Sequence, residues 1–185
     1  MISHAGAFLT AKWSQLAMLN YEIDPKILQP LVPAGTELDD WQGRTFASIV
    51  GFLFLDTRVL GVPIPYHRNF EEVNLRFYVR RKTGEGWRRA VIFIKEIVPR
   101  TAIACVARVL YEENYVALSM RHSIELQNNT GAGPRTLSYS WWFRGTENRM
   151  EMTIGGNPEN VADGSAEAFI TEHYWGYARQ RDGRT

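Results

Sequence analysis

The run NFEEVNLRFYVRR, residues 69–81, constrains this chain more than any other stretch. Val73, Leu75, Phe77 and Val79 recur with a period of two, and Glu72, Asn74, Arg76 and Tyr78 occupy the positions between them. Side chains of a strand alternate between its faces, so the run is a strand with one apolar and one polar side. The apolar side needs a core. The polar side either meets water or lines a polar cavity, and alternation leaves both open. The next segment, AVIFIKEIV, is apolar on both faces, with Lys95 in line with Val91, Phe93 and Ile97. A lysine so placed either snorkels to an edge or is held by a carboxylate. Pro99 ends that strand and Thr101 can cap a helix directly after it. Ile103, Val106, Ala107 and Leu110 then repeat at helical spacing with Arg108 as the only charge. A buried helix of this kind leaves Arg108 in need of a carboxylate or a cluster of carbonyls, with Glu72 and Glu96 the nearest acids by register.

One core suffices for these elements. The 185 residues are 45% hydrophobic and 12% aromatic, which predicts a single domain over residues 1–185 with no linker. Lysine and arginine total 21 against 20 acidic residues, a formal net charge of +1, so no overall field argues for nucleic acid or an anionic membrane. Arg80, Arg81, Lys82, Arg88 and Arg89 flank Gly84 and Gly86 and read as a solvated hairpin tip. Cys105 is the only cysteine, which excludes an intramolecular disulfide and a cysteine metal cluster; it reads as a small buried hydrophobe. No basic segment with a long apolar run behind it opens the chain, and no stretch has transmembrane length. A soluble cytoplasmic protein is the expectation.

In chain order, a strand is predicted from about Lys12 to Ile23. Asp24 and Pro25 start a short helix, because aspartate caps free amides and proline suits the first turn. Ile27, Leu28, Leu31 and Val32 supply its buried side, and Pro33 and Gly35 stop it. RTFASIVGFLFLDTRVL is a strand covered on both sides, in which Gly51 marks a bulge or a close backbone approach. Further strands are predicted at YVALSMRHSIEL, RTLSYSWWFRG and RMEMTIGG, then a short helix in AEAFITEHYW and a strand at GYARQ. Asp182 and Gly183 are a hairpin signal with only Arg184 and Thr185 beyond them, so at least one further C-terminal strand is expected.

No phosphate-binding glycine loop, nucleophile elbow or paired histidine ligands appear. His4, His67, His122 and His173 are scattered and read as surface or structural residues, so neither a metal nor a cofactor is expected. Glu112 and Glu113 are adjacent and would point apart on a strand.

The runs NYEIDPKILQPLVPAGTELDDWQGRTFASIVGFLF, FEEVNLRFYVRR, VIFIKEIVPR, ARVLYEENYV and TEHYWGY resemble the YqjF-like family of uncharacterised bacterial proteins, within the acetoacetate decarboxylase-like superfamily. The resemblance covers nearly the whole chain and implies a mainly β fold: a cone-shaped, antiparallel β-barrel with a few short helices. In acetoacetate decarboxylases a lysine forms an imine with a β-keto acid while a neighbouring lysine keeps its amine reactive. The matching region here is AIACVARVLYEENYV, with Ala107, Arg108 and Val109 in the place of a Gly-Arg-Glu segment, and Asn114, Tyr115 and Val116 where the lysine pair would stand. The superfamily's glutamate is matched by Glu72 in NFEEV, and its substrate-steering arginine of the first strand by Lys12.

Three functions are compatible with these residues. The first is a barrel that binds a small polar or anionic molecule, or an enzyme of unknown reaction, with Lys12, Glu72, Asn74, Arg76, Arg108 and Tyr115 as ligand-binding residues. The second is a decarboxylase-like enzyme with Lys95 as the amine and Glu72 as a further catalytic candidate. The third is a structural or interaction protein whose barrel is filled. Oligomeric state is not legible.

Overall fold

The structure is a computed structural model that describes residues 9–59, 61–63, 68–101, 114–125, 135–157 and 159–177. Its strands are β1 (Leu9–Glu22), β2 (Glu37–Leu38), β3 (Phe46–Val59), β4 (Val62–Pro63), β5 (Phe70–Thr83), β6 (Gly86–Val98), β7 (Tyr115–Ala117), β8 (Met120–Glu125), β9 (Arg135–Phe143), β10 (Thr146–Ile154) and β11 (Trp175–Tyr177). Two short α-helices, α1 (Pro25–Leu28) and α2 (Ala166–Thr171), and a 3-10 turn at Gln29–Leu31 complete the described elements. The chain is mainly β, as its alternation predicts. No helix among the described residues is long and apolar enough to cross a membrane.

The larger sheet runs β1-β3-β5-β6-β11, with β2 added on β5, β4 on β3 and β7 on β6. Its neighbours are antiparallel except β7 and β11, which both run parallel to β6. Among the described residues this path is open, with β1 and β11 at its ends, a barrel-like sheet without a hydrogen-bonded ring. A smaller sheet, β10-β9-β8, lies against it.

The two faces of the large sheet are covered differently. Leu53, Val73, Ala17 and Ile97 pack on Met120, Leu137, Tyr139 and Met150 of the small sheet. Further along the same face Phe77, Val79, Ala47 and Ile92 pack on Leu28 of α1. On the opposite face Val50, Phe52, Phe54, Phe70 and Val98 cluster with Tyr115, and Phe46, Tyr78 and Val91 meet Phe169 and Ile170 of α2. Both faces of β3 and β5 are therefore buried, and the polar set Glu72, Asn74 and Arg76 lies inside rather than in water.

Local signals hold where they are short-range. Asp24 caps α1, its side chain accepting from the Lys26 amide at 2.9 Å, and Pro25 takes the first turn. Gly51 is a close approach: a Cβ there would stand 2.5 Å from Tyr139 Cδ2 and 2.9 Å from Met150 Sδ. Two expectations need correction. Of Ile27, Leu28, Leu31 and Val32 only Leu28 is fully buried, while Ile27 and Leu31 are exposed, because four residues make a single turn with room for one inward side chain. Lys95 is not in line with Val91 and Phe93. A bulge lets Ile94 and Lys95 together oppose Leu75, which shifts Lys95 onto the Val73 face, where it is exposed. The helix expected over residues 103–110, with Cys105 and Arg108, lies outside the described residues, as do Glu112, Glu113 and the Asp182–Gly183 signal.

Candidate functional site

Antiparallel partners share a face, so the register assembles the site row by row. On the Glu72 face of the large sheet, Glu72 stands beside Phe52, Asn74 between Val50 and Glu96, and Arg76 between Ser48 and Phe93. Asn20 of β1 extends the last row beyond Ser48, and Tyr115 of β7 extends the middle row beyond Glu96. Three polar positions of one strand thus meet polar side chains from β1, β3, β6 and β7 in an otherwise apolar layer.

Glu72, Asn74 and Glu96 are each 2% exposed and Arg76 is 9% exposed. The carboxylate of Glu72 is held at both ends: Asn74 Nδ2 donates to Oε1 at 3.1 Å and the Tyr115 hydroxyl donates to Oε2 at 3.0 Å. Ser48 is likewise committed. Its hydroxyl donates to Asn20 Oδ1 at 2.6 Å and stands 2.6 Å from the Tyr78 hydroxyl. The Arg76 guanidinium lies 5.8 Å from the centroid of the Tyr78 ring. Arg76 has no ion pair among the described residues, and neither its Nε nor Asn74 Oδ1 meets a hydrogen-bond partner there. Burying a cation costs the fold free energy that an ion pair would offset, and Arg76 has no such pair among the described residues.

The expected ligand-binding residues divide accordingly. Asn74 and Tyr115 are both hydrogen-bonded to Glu72, and Arg76 lies on the same face. Lys12 does not join them: its register partner is Leu55, which packs toward the small sheet, and Lys12 is exposed on that opposite side. Lys95, shifted by the bulge, is also on the far face. Arg108 lies outside the described residues. Ser48 and Asn20 were missed because both are single polar residues in apolar strands. Their signal is visible only once the register sets them beside Arg76.

A second polar cluster lies around Asp39, 1% exposed, next to β2. His173 Nε2 stands 3.1 Å from Asp39 Oδ2, and its Nδ1 stands 2.8 Å from the Phe169 carbonyl. Arg89 Nε reaches the same carboxylate at 3.2 Å and Arg80 Nη1 at 3.5 Å. The hydrogen bond to Glu37 holds the Arg80 guanidinium above its ordinary value, and the charge of Asp39 adds to it, against the opposing effect of burial. Arg80 and Arg89 are therefore partly buried struts rather than a solvated hairpin tip, and His173 has both ring nitrogens occupied. Next to this cluster, and sharing Arg89 with it, an open groove of about 540 Å³ runs past Thr83, Trp87, Arg88, Tyr174 and Trp175, with Arg88 stacked 4.3 Å from the centroid of the Trp175 ring. Among the described residues no three of histidine, cysteine, aspartate and glutamate come together as a metal-ligand set.

Comparison with known proteins adds the family. The family model DUF2071, described as an uncharacterized conserved protein, matches residues 10–185. The uncharacterized protein YqjF of Bacillus subtilis (strain 168) is 36% identical over 75 residues, which is 40% of this chain and 31% of that protein. Among solved structures, acetoacetate decarboxylase from Legionella pneumophila superposes with a TM-score of 0.60 at 15% identity, covering 91% of this chain and 59% of that one. The enduracididine biosynthesis enzyme MppR, complexed with the condensation product of pyruvate and imidazole 4-carboxaldehyde, superposes with a TM-score of 0.60 at 14% identity, covering 81% and 57%. The chain thus spans less than two thirds of each of these proteins, and the structural likeness is one of fold.

Proposed function

The chain belongs to the DUF2071 family of uncharacterized conserved proteins, with an acetoacetate decarboxylase-like fold, and on that premise we propose that it binds a small carboxylate on the Glu72 face, with Arg76 as the cation that receives it. The observation that carries this reading is the Arg76 side chain: nine-tenths buried, with no ion pair among the described residues and with Nε unsatisfied. A planar guanidinium is the side chain best matched to a carboxylate, which it can engage with two parallel N–H groups. Glu72, fixed between Asn74 and Tyr115, holds the neighbouring wall.

Decarboxylation through an imine has no support from the lysines. The chain has four, Lys12, Lys26, Lys82 and Lys95, and all are exposed. None is buried beside Glu72, where an imine-forming amine would have to stand. Binding is therefore the function proposed, with any reaction left to groups other than lysine.

The test is titration calorimetry of the whole chain with a panel of short-chain mono- and dicarboxylates, repeated on Arg76→Met. At least one carboxylate should bind, and binding should fall by more than tenfold in the variant. Failure of every carboxylate, or affinity unchanged in Arg76→Met, would overturn the proposal.

A further inference from the structure

The carboxyl of Glu72 determines which way the Asn74 amide points. A carboxylate accepts hydrogen bonds and Glu72 Oε1 meets the amide at 3.1 Å, so the atom facing it is the NH₂ group and Oδ1 faces away. That oxygen is an acceptor without a donor: Asn74 is 2% exposed and Oδ1 has no partner among the described residues. Neither of its row neighbours, Val50 and Glu96, makes a hydrogen bond to it. Two residues along the same face the situation is reversed. Among the described residues Arg76 Nε is a donor without an acceptor, and the neighbouring Ser48 hydroxyl is already engaged by Asn20 and Tyr78.

The rise of a strand sets the two Cα atoms about 7 Å apart, within reach of one small molecule given the length of the arginine side chain. An anion alone would satisfy Arg76 and leave Asn74 Oδ1 buried and unpaired. A 2-oxo acid does no better, because its keto oxygen is another acceptor turned toward an acceptor. We infer that the ligand carries a hydrogen-bond donor beside its carboxylate, so that the class bound on this face is a small hydroxy- or amino-carboxylate rather than a 2-oxo acid. The inference rests on the reading of Arg76 as the anion site and adds the group that Asn74 selects. Sites that hydrogen-bond a ligand's donor reject analogues lacking it, because their own buried polar atoms are then stranded.

The experiment is calorimetric titration of the wild-type chain with matched short-chain acids that differ only at the carbon next to the carboxyl: hydroxyl, amino, keto or unsubstituted. At least one donor-bearing acid should bind roughly tenfold more tightly than both the keto and the unsubstituted acid. In Asn74→Leu, close in size and without the acceptor, the ratio of affinities between the donor-bearing and the unsubstituted acid should collapse towards one. If the keto or unsubstituted acids bind as well as the donor-bearing ones, the inference is wrong and the Arg76 site stands. If none of the acids binds, the Arg76 site itself is wrong. The wild-type ranking decides between these outcomes even where the variant does not fold.

Discussion

A guanidinium taken out of water without a carboxylate partner works against folding, so Arg76 should separate stability from binding. Arg76→Met keeps the apolar length of the side chain and removes a charge that has no ion pair among the described residues. Its unfolding free energy should rise by on the order of 1 kcal/mol, or stay unchanged, while carboxylate binding is lost. Urea denaturation of the two proteins side by side checks this, and a loss of stability above about 2 kcal/mol would mean that the charge is part of the fold, as removing a partner from a buried pair would imply. Asp39 is the contrasting case, since His173, Arg80 and Arg89 all converge on it. Asp39→Ala should cost about 3 kcal/mol, read by the same denaturation, and a neutral result would contradict the account of this cluster. The polar face of Glu72, Asn74 and Arg76 was legible in the sequence because a period of two needs no partner strand to be seen. The environment of His173 was not legible, since Asp39 lies 134 positions away and nothing local announces it.

At the scale of elements, the packing of the two sheets depends on Gly51 and Tyr139. The Tyr139 ring fills the space that a side chain on residue 51 would take, and its hydroxyl donates to the Gln15 carbonyl at 2.6 Å. Gln15 sits in the irregular stretch of β1 between Ser14 and Ala17 with φ of 54°, so this bond ties a distorted edge strand to the small sheet. Gly51→Ala should destabilise by about 1–3 kcal/mol through overpacking, measured by thermal or urea unfolding, because the ring and the Met150 sulfur must both move. An unchanged midpoint would show that the sheets are not in close contact there. The close approach at Gly51 could be read from one glycine in an apolar strand. The phase of Lys95 could not, because a bulge changes the face of every residue beyond it and leaves no mark in composition.

For the whole molecule, burial, with the charge of Glu71 as a second cause, raises the Tyr139 phenol well above its ordinary range. Below about pH 10 the phenol is neutral in both folded and unfolded chains, so its contribution to stability is fully present. As pH rises past that value the unfolded chain ionises first, the folded chain does not, and the contribution is progressively lost. Urea midpoints should therefore fall from about pH 10 upward, and the fall should be shallower in Tyr139→Phe. The same slope in both would remove Tyr139 from the explanation. Mainly β class, two-sided burial of β3 and the short capped helices were all within reach of pattern reasoning. The division into two sheets and the meeting of β1, β3, β6 and β7 around β5 were not, since pairing at long range is a property of register rather than of any one run. The central claim is that Arg76 is a buried cation kept for a small carboxylate. Its most direct measurement is the ¹⁵Nε–¹H NMR resonance of Arg76, assigned by its absence in Arg76→Met, during titration with a short-chain hydroxy-carboxylate. A saturable shift of that resonance with slowed solvent exchange is the result predicted; a resonance that stays in place while the acid reaches saturating concentration would contradict it.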